Sequence, residues 1–280
     1  MTYAYLGPEG TFTQAALRLL VPAGTDARER PYPSVPAALD AARLGDCEAA
    51  VVPLENSVRG VVPATMDQLV SAGLHINAEV EVAVAFALMA PDGVAVDDIT
   101  VVHSHPHALA QCEQWLAARL PGVRAQPAAS TAAAAQEVSR AGACGAAAIA
   151  APQAAGRYGL RTLATGLGRD AGAVTRFVSV SPRWARSARS EHERTSLLVS
   201  PGAAGTAPLV DVLKAFEGQG VDLSWIQSWP TGERLGSYHM FLDVDAHIED
   251  RSLLEAMTEV AATGVNLRFL GSYPRWREAS

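Results

Sequence analysis

From Ser196 onward the apolar pattern changes period in a fixed order. Ser196–Ser200 alternates as a strand, and Leu209, Val212, Leu213 and Phe216 recur at helical spacing until Gly218 or Gly220. Val221–Gln227 and Tyr238–Val244 read as two more strands. Leu253, Leu254, Met257 and Val260 make a second helix, and Val265–Leu270 a last strand. The order βαββαβ is the ferredoxin-like unit, two helices on one face of an antiparallel sheet. It accounts for the last third of the chain only. Arg183 to Arg194 ahead of it is polar and Arg-rich, with Trp184 as its one large apolar residue, and reads as a linker. The expected boundaries are therefore a first body at 1–182, a linker at 183–194 and a second domain at 195–275.

The first body alternates strands and helices. Tyr3-Ala4-Tyr5-Leu6 is a short strand that runs into Gly7-Pro8-Glu9-Gly10-Thr11-Phe12 and then an Ala/Leu-rich helix from Thr13 to Leu20. A Gly-rich turn at that place offers backbone N–H groups to an anion. Val35, Ala38, Leu39 and Ala42 recur as a helix, and Ala49–Val52 is a buried strand that delivers Pro53-Leu54-Glu55-Asn56-Ser57 at its C-terminal end. Open α/β sheets place ligands there. From Ile76 to Leu88 the pattern has period 2, long enough for a strand that passes from one lobe to another. Ile99–Val102 is another buried strand, followed by His103-Ser104-His105-Pro106-His107 and a helix with Leu109, Cys112, Leu116 and Leu120 inward. Pro106 suits a first helical turn and Ser104 or His105 its cap, whereas no partner cluster or HExxH supports a metal. Ser130-Thr131 caps an Ala-rich helix. Gly166 to Gly172 misses GxGxxG by one residue and precedes a strand, so it is not a dinucleotide loop.

Charge and composition exclude several classes. The net charge of −7 argues against nucleic acid as a partner. Lys214 is the only lysine and falls mid-helix in the C-terminal domain, which argues against Schiff-base chemistry. Cys47, Cys112 and Cys144 are odd in number and widely spaced, as expected of reduced thiols in the cytoplasm. Met1-Thr2-Tyr3-Ala4-Tyr5 does not read as a signal peptide. The longest apolar run, Ala83–Ala90, is too short to cross a membrane.

Chemistry concentrates in Ala173-Val174-Thr175-Arg176-Phe177-Val178. A hydroxyl and a guanidinium stand side by side on a strand. Neighbours on a strand point to opposite faces, so the pair meets one ligand only where the strand begins, twists or leaves its sheet.

At this point the chain resembles prephenate dehydratase with a C-terminal ACT domain, over nearly its whole length. The resemblance is carried by Gly7 to Phe12, by Pro53 to Ser57, and by Ser104-His105-Pro106 with Ala108 to Cys112. It continues through Ser130-Thr131-Ala132, Tyr158-Gly159-Leu160, Thr175-Arg176-Phe177 and Phe269 to Pro274. It implies an α/β catalytic domain of two lobes, built like a type II periplasmic binding protein, plus the ferredoxin-like ACT domain. It implies conversion of prephenate to phenylpyruvate without a cofactor or metal, in a homodimer or homotetramer of the phenylalanine pathway. Residue by residue it points to Thr175, Arg176, Glu55, Asn56 and Ser57 for catalysis. Gly10, Thr11, Phe12, Ser104, His105, Ser130, Thr131 and Phe177 would bind substrate. Thr175 would donate to the departing hydroxyl, Arg176 fork a carboxylate, and Asn56 and Ser57 orient the substrate. Glu55 is either a raised-pKa acid or, as favoured for a site that takes a dianion, a buried structural carboxylate. A non-aromatising prephenate decarboxylase, an arogenate dehydratase and a two-lobed sensor without turnover are the alternatives.

Three positions depart from the family pattern. Ala173 stands where many relatives carry Asn. The effector loop, usually Gly-Ala-Leu, reads Ala207-Pro208-Leu209, and the usual Glu-Ser-Arg-Pro reads Gln227-Ser228-Trp229-Pro230. Pro208 removes a backbone N–H, and Trp229 exchanges a cation for an indole. The expected response to phenylalanine is weak, or moved to another aromatic effector.

Overall fold

The computed structural model describes residues 1–276 except 22–23, 72, 143–144, 169–171 and 201–207; side-chain detail for residue 208 is also outside the description. Cys144 and Ala207 therefore lie outside the described residues.

The chain begins with β1 (Thr2–Leu6), α1 (Phe12–Leu20), β2 (Arg28–Tyr32), α2 (Val35–Arg43), β3 (Ala49–Asn56) and the two-residue β4 (Gly60–Val61). It continues through α3 (Pro63–Ser71), β5 (His75–Ala83), β6 (Phe86–Ala90), β7 (Val101–Ser104), α4 (Pro106–Arg119) and β8 (Arg124–Pro127). Next come α5 (Thr131–Ala141), β9 (Ala146–Ala150), α6 (Gln153–Tyr158), β10 (Arg161–Leu167) and β11 (Val174–Ser181). The last third is β12 (Glu193–Ser200), α7 (Pro208–Gly218), β13 (Leu223–Pro230), β14 (Tyr238–Val244), α8 (Arg251–Ala262) and β15 (Asn266–Pro274).

Two compact units result. One comprises Met1–Val62 and Val80–Phe177, the other Pro63–Glu79 and Val178–Ser280. This division differs from the linear boundaries expected above. α3 and most of β5 group with the C-terminal residues, because Arg268 donates to the Leu69 carbonyl and Asn77 Nδ2 to Ser181 Oγ at 2.8 Å.

Two of the three sheets formed by the described residues lie wholly or mostly in the first unit. One has the order β2-β1-β3-β11-β5, with β4 beside β3; the other has β10-β6-β9-β7-β8. The run from Ile76 to Leu88 is two strands rather than one. β5 ends at Ala83 in the first sheet and β6 starts at Phe86 in the second. Alternation persists through the break because both strands are half or fully buried, so periodicity alone does not mark the crossing. In β6 every residue is buried: Phe86, Leu88 and Ala90 pack with Cys112 and Leu116 of α4, while Ala87 and Met89 pack with Ala134 and Ala135 of α5. A sheet covered on both faces needs apolar residues at every position. The alanines of α5 and β9 let helix and sheet approach closely.

The second unit has a sheet of order β13-β14-β12-β15. Leu197, Val199, Leu242 and Val244 face Val212 and Phe216 of α7 and Leu253, Ala256 and Val260 of α8. This is the βαββαβ unit read from the sequence. The opposite face carries ions: Arg194, only 5 % exposed, pairs with Glu79 of β5. Gly271 brings β15 so near β5 that a Cβ there would sit 1.9 Å from the Ile76 carbonyl oxygen, which no side chain tolerates.

Candidate active site

β3 is apolar and buried up to Leu54, then turns polar at Glu55 and Asn56, where it meets solvent. The chain folds back at once. Glu55 pairs with Val61 and Asn56 with Gly60, whose φ of +77° is the left-handed value a tight hairpin demands. Asn56 Oδ1 accepts the N–H groups of Val58 and Arg59, both at 3.0 Å. Those two donors fix which end of the amide is which. Its Nδ2 is left to donate to Thr175 Oγ1 at 2.9 Å. Thr175 Oγ1 is the acceptor in that bond, so its own proton is directed elsewhere.

Ser57 holds the same hairpin to β11. Its N–H donates to the Val174 carbonyl at 2.9 Å, and the Val174 N–H donates to Ser57 Oγ at 3.0 Å. Val84 N–H binds the Ala173 carbonyl at 2.7 Å from the other side. Thr175 is the second residue of β11, so the requirement that the Thr-Arg pair stand where a strand begins is met. Thr175 and Arg176 are 8 % and 6 % exposed, and Phe177 is core. Glu55 is half-buried rather than fully buried and makes no ion pair among the described residues. As Asn56's neighbour on a strand it points to the face away from Thr175. The fully buried structural carboxylate favoured from sequence is not what the fold contains.

The turn from Gly7 to Phe12 spends several of its donors within the protein. Gly10 N–H binds Gln14 Oε1 at 2.6 Å. Thr11 caps α1 by accepting from Gln14 N–H at 3.3 Å, and its hydroxyl donates to the Leu6 carbonyl. Gln14 in turn donates to Glu29, which Arg18 also forks at 2.7 and 2.9 Å. That fork holds the Glu29 carboxyl below its ordinary range. Tyr5 lies fully buried nearby, with its phenol pushed up to about 12 by burial and then by Glu29.

The second lobe meets this turn through α6. Tyr158 donates its hydroxyl to the Glu9 carbonyl at 2.6 Å, Arg157 pairs with the Glu9 carboxylate, and Gln153 donates to the Thr11 carbonyl at 3.3 Å. Gly10 has φ +82°, and a Cβ there would lie 3.3 Å from Ala154 Cα and from the Tyr158 ring. Phe12 packs edge-on against Phe86, with centroids 5.9 Å apart.

Ser104, His105 and Ser130 are engaged with backbone. Ser104 is fully buried and donates to the Ile149 carbonyl at 2.6 Å. His105 caps α4, with Nδ1 accepting from His107 N–H at 3.3 Å; burial and then His107 hold its pKa down. Ser130 caps α5 through Ala133 N–H at 3.0 Å, and Thr131 opens that helix. The fold thus brings Asn56 into direct contact with Thr175 and Ser57 with Val174, with Arg176 adjacent in the chain. Gln153, Arg157 and Tyr158 were missed as site residues. Their partners lie some 140 to 150 positions away, and no local spacing reports such a contact.

In the second unit, Leu209, Ser228 and Pro230 are exposed and Gln227 is half-buried. Trp229 donates its indole N–H to Asp67 of α3 at 2.9 Å.

Comparison with known proteins agrees with this architecture. The sequence profile of prephenate dehydratase matches residues 3–184. A prephenate dehydratase of Mycobacterium marinum is 40 % identical, covering 97 % of this chain and 88 % of the relative. The crystal structure of prephenate dehydratase from Arthrobacter aurescens in complex with L-Phe superimposes with a TM-score of 0.88. It is 40 % identical, with coverage of 98 % of this chain and 90 % of that one. A structure described as GqqA, a quorum-quenching acylase, has a TM-score of 0.87 at 26 % identity over 99 % of this chain and 98 % of its own. The type II binding-protein lobes and the ACT fold are those of these structures, and the chain belongs to the prephenate dehydratase family.

Proposed function

We propose that the hairpin from Asn56 to Gly60 and the start of β11 form the site in which prephenate becomes phenylpyruvate. The observation that carries this reading is the hydrogen bond from Asn56 Nδ2 to Thr175 Oγ1. An amide nitrogen that donates to the threonine oxygen leaves the hydroxyl proton free for the substrate and makes it more acidic. In prephenate the ring carboxylate leaves as carbon dioxide. Its bonding electrons enter the ring, and the hydroxyl across the ring departs, taking up a proton as water. Thr175 donates to that oxygen as it gains charge. Such assistance is typically worth about 10²–10⁴ in rate. Aromatisation supplies the drive, so a weak acid suffices.

Arg176 is best placed on the carboxylate that stays. A bidentate clamp on the departing one would stabilise the ground state and oppose loss of carbon dioxide. Asn56 and Ser57 then act on Thr175 and on the strand that carries it. The same geometry disfavours hydrolysis of an acyl group by Thr175. A nucleophile needs a neighbour that accepts its proton, and Asn56 Nδ2 can only donate.

The finer assignments belong to the same proposal. The ACT unit takes an aromatic amino acid as effector, a reading supported by the L-Phe in the Arthrobacter relative. The protein assembles as a homodimer or homotetramer, consistent with Ile226 and Tyr238 standing 47 % exposed on β13 and β14. It works in the cytoplasm; no described helix is long and apolar enough to span a bilayer. The decisive assay is incubation with prephenate and identification of the product by its ultraviolet spectrum. Phenylpyruvate is expected. A non-aromatic keto acid would identify a decarboxylase, and turnover of arogenate alone would identify the amino-acid variant.

A further inference from the structure

Prephenate carries two carboxylates, and the proposed site has so far supplied one guanidinium, that of Arg176. A second positive group stands on the hairpin itself. Arg59 is exposed, and among the described residues its side chain has neither hydrogen bond nor ion pair. Its backbone, by contrast, is tightly held. Arg59 N–H binds Asn56 Oδ1 at 3.0 Å, the same amide binds Thr175 at 2.9 Å, and Ser57 ties the hairpin to Val174 in both directions. Two hydrogen bonds joined by one amide keep the Arg59 nitrogen within about 8 Å of Thr175 Oγ1, and an extended arginine side chain spans about 6 Å from its Cα. The side chain is therefore long enough to span the distance to Thr175. Among the described residues no ion pair joins it to Glu55.

We propose that Arg59 determines substrate specificity by meeting the carboxylate that Arg176 does not hold. The unpartnered charge on a tip pinned at three points is the distinguishing feature; an ordinary solvated arginine needs no such support. An exposed guanidinium is also suited to a carboxylate that must later leave, because it recognises charge without a buried clamp. Arogenate keeps both carboxylates, so the contact is open to either substrate; the preference for the dianionic keto acid comes from net charge alone, which arogenate's ammonium makes less negative by one.

This inference rests on the proposed reading of the site, and the two are tested separately. Turnover of prephenate by the unmodified protein tests the reading. Arg59 is tested by comparing KM, or the calorimetric affinity for prephenate if turnover is absent, in Arg59→Gln, Arg59→Glu and Arg59→Lys. Arg59→Gln is expected to weaken prephenate binding about tenfold with kcat within about twofold, and Arg59→Lys to restore most of the loss. The unmodified protein should lose affinity as salt rises, more steeply than Arg59→Gln. Arg59→Glu should lower the preference for prephenate over arogenate in kcat/KM. Affinity unchanged within twofold in both Arg59→Gln and Arg59→Glu, with thermal stability intact, would overturn the assignment and leave the reading of the site untouched.

Discussion

Arg194 sets one guanidinium nitrogen on both oxygens of Glu79, at 2.7 and 3.0 Å, with neither side chain in solvent. Trp276 N–H adds a third donor to Glu79 at 3.0 Å, and Asp243 lies 3.9 Å from Arg194 Nε. Removing either partner strands a buried charge, which typically costs about 3–5 kcal/mol. Glu79→Ala and Arg194→Ala should each lower the thermal midpoint of the second unit steeply. The paired change to Glu79→Met and Arg194→Met should lose less than the two single Met changes added together, since neither member of the pair then leaves the other's charge unmatched. Calorimetry decides the matter. Single losses below about 1 kcal/mol would show that water reaches the pair.

At the active site, Thr175→Ala should lower kcat by about 10²–10⁴ with little change in KM. Asn56→Asp is the more searching variant. A carboxylate oxygen in place of Nδ2 takes the threonine proton that the substrate needs. Activity should fall at neutral pH and partly return as the new carboxyl is protonated. A pH–rate profile parallel to that of the unmodified protein would exclude this polarity for the Asn56–Thr175 bond.

Three histidines make stability depend on pH. His75 and His239 are held low by burial and then by Arg268, and His105 by burial and then His107. The fold disfavours the proton at each, so the unfolded chain takes it up first. Their contribution is complete above the ordinary histidine value near 6.5 and declines as pH falls below it. Glu29, held low by Arg18, adds a second loss further into acid. Denaturation midpoints between pH 7 and 5 should fall progressively. His239→Gln should flatten that slope; an unaltered slope would remove His239 from the account.

We propose that the effector response turns on Trp229. Its indole is already anchored to Asp67, and Pro208 offers no N–H to a ligand. A donor lost from a buried site costs roughly 1–3 kcal/mol. Phenylalanine should therefore inhibit only above micromolar concentration, and Trp229→Arg should sharpen the response. Titrations of phenylalanine, tyrosine and tryptophan against activity check this. Micromolar inhibition of the unmodified protein by phenylalanine would contradict it.

The fold was legible where burial is one-sided. β13 alternates half-buried and exposed residues from Leu223 to Pro230, and Val212 and Phe216 sit one turn apart, so the βαββαβ order shows directly. It was less legible at β2, Arg-Glu-Arg-Pro-Tyr, and at β8, Arg-Ala-Gln-Pro, two sheet-edge strands with little or nothing buried to betray them. Caps at Ser130 and His105 follow from residue type and position. The Asn56–Thr175 bond spans 119 positions and Arg194–Glu79 spans 115, and no window of sequence contains either pair. Arg194 in particular reads as the end of a charged linker until Glu79 is seen beside it.

The discontinuity of the second unit bears on how the chain can be divided. Residues 63–79 interrupt one unit in sequence and belong to the other. A fragment ending at 182 would carry Glu79 without Arg194, and a fragment starting at 183 would carry Arg194 without Glu79. We expect exchange of the C-terminal domain between relatives to be better tolerated when the 63–79 segment travels with it, because the Glu79–Arg194 pair is then kept together.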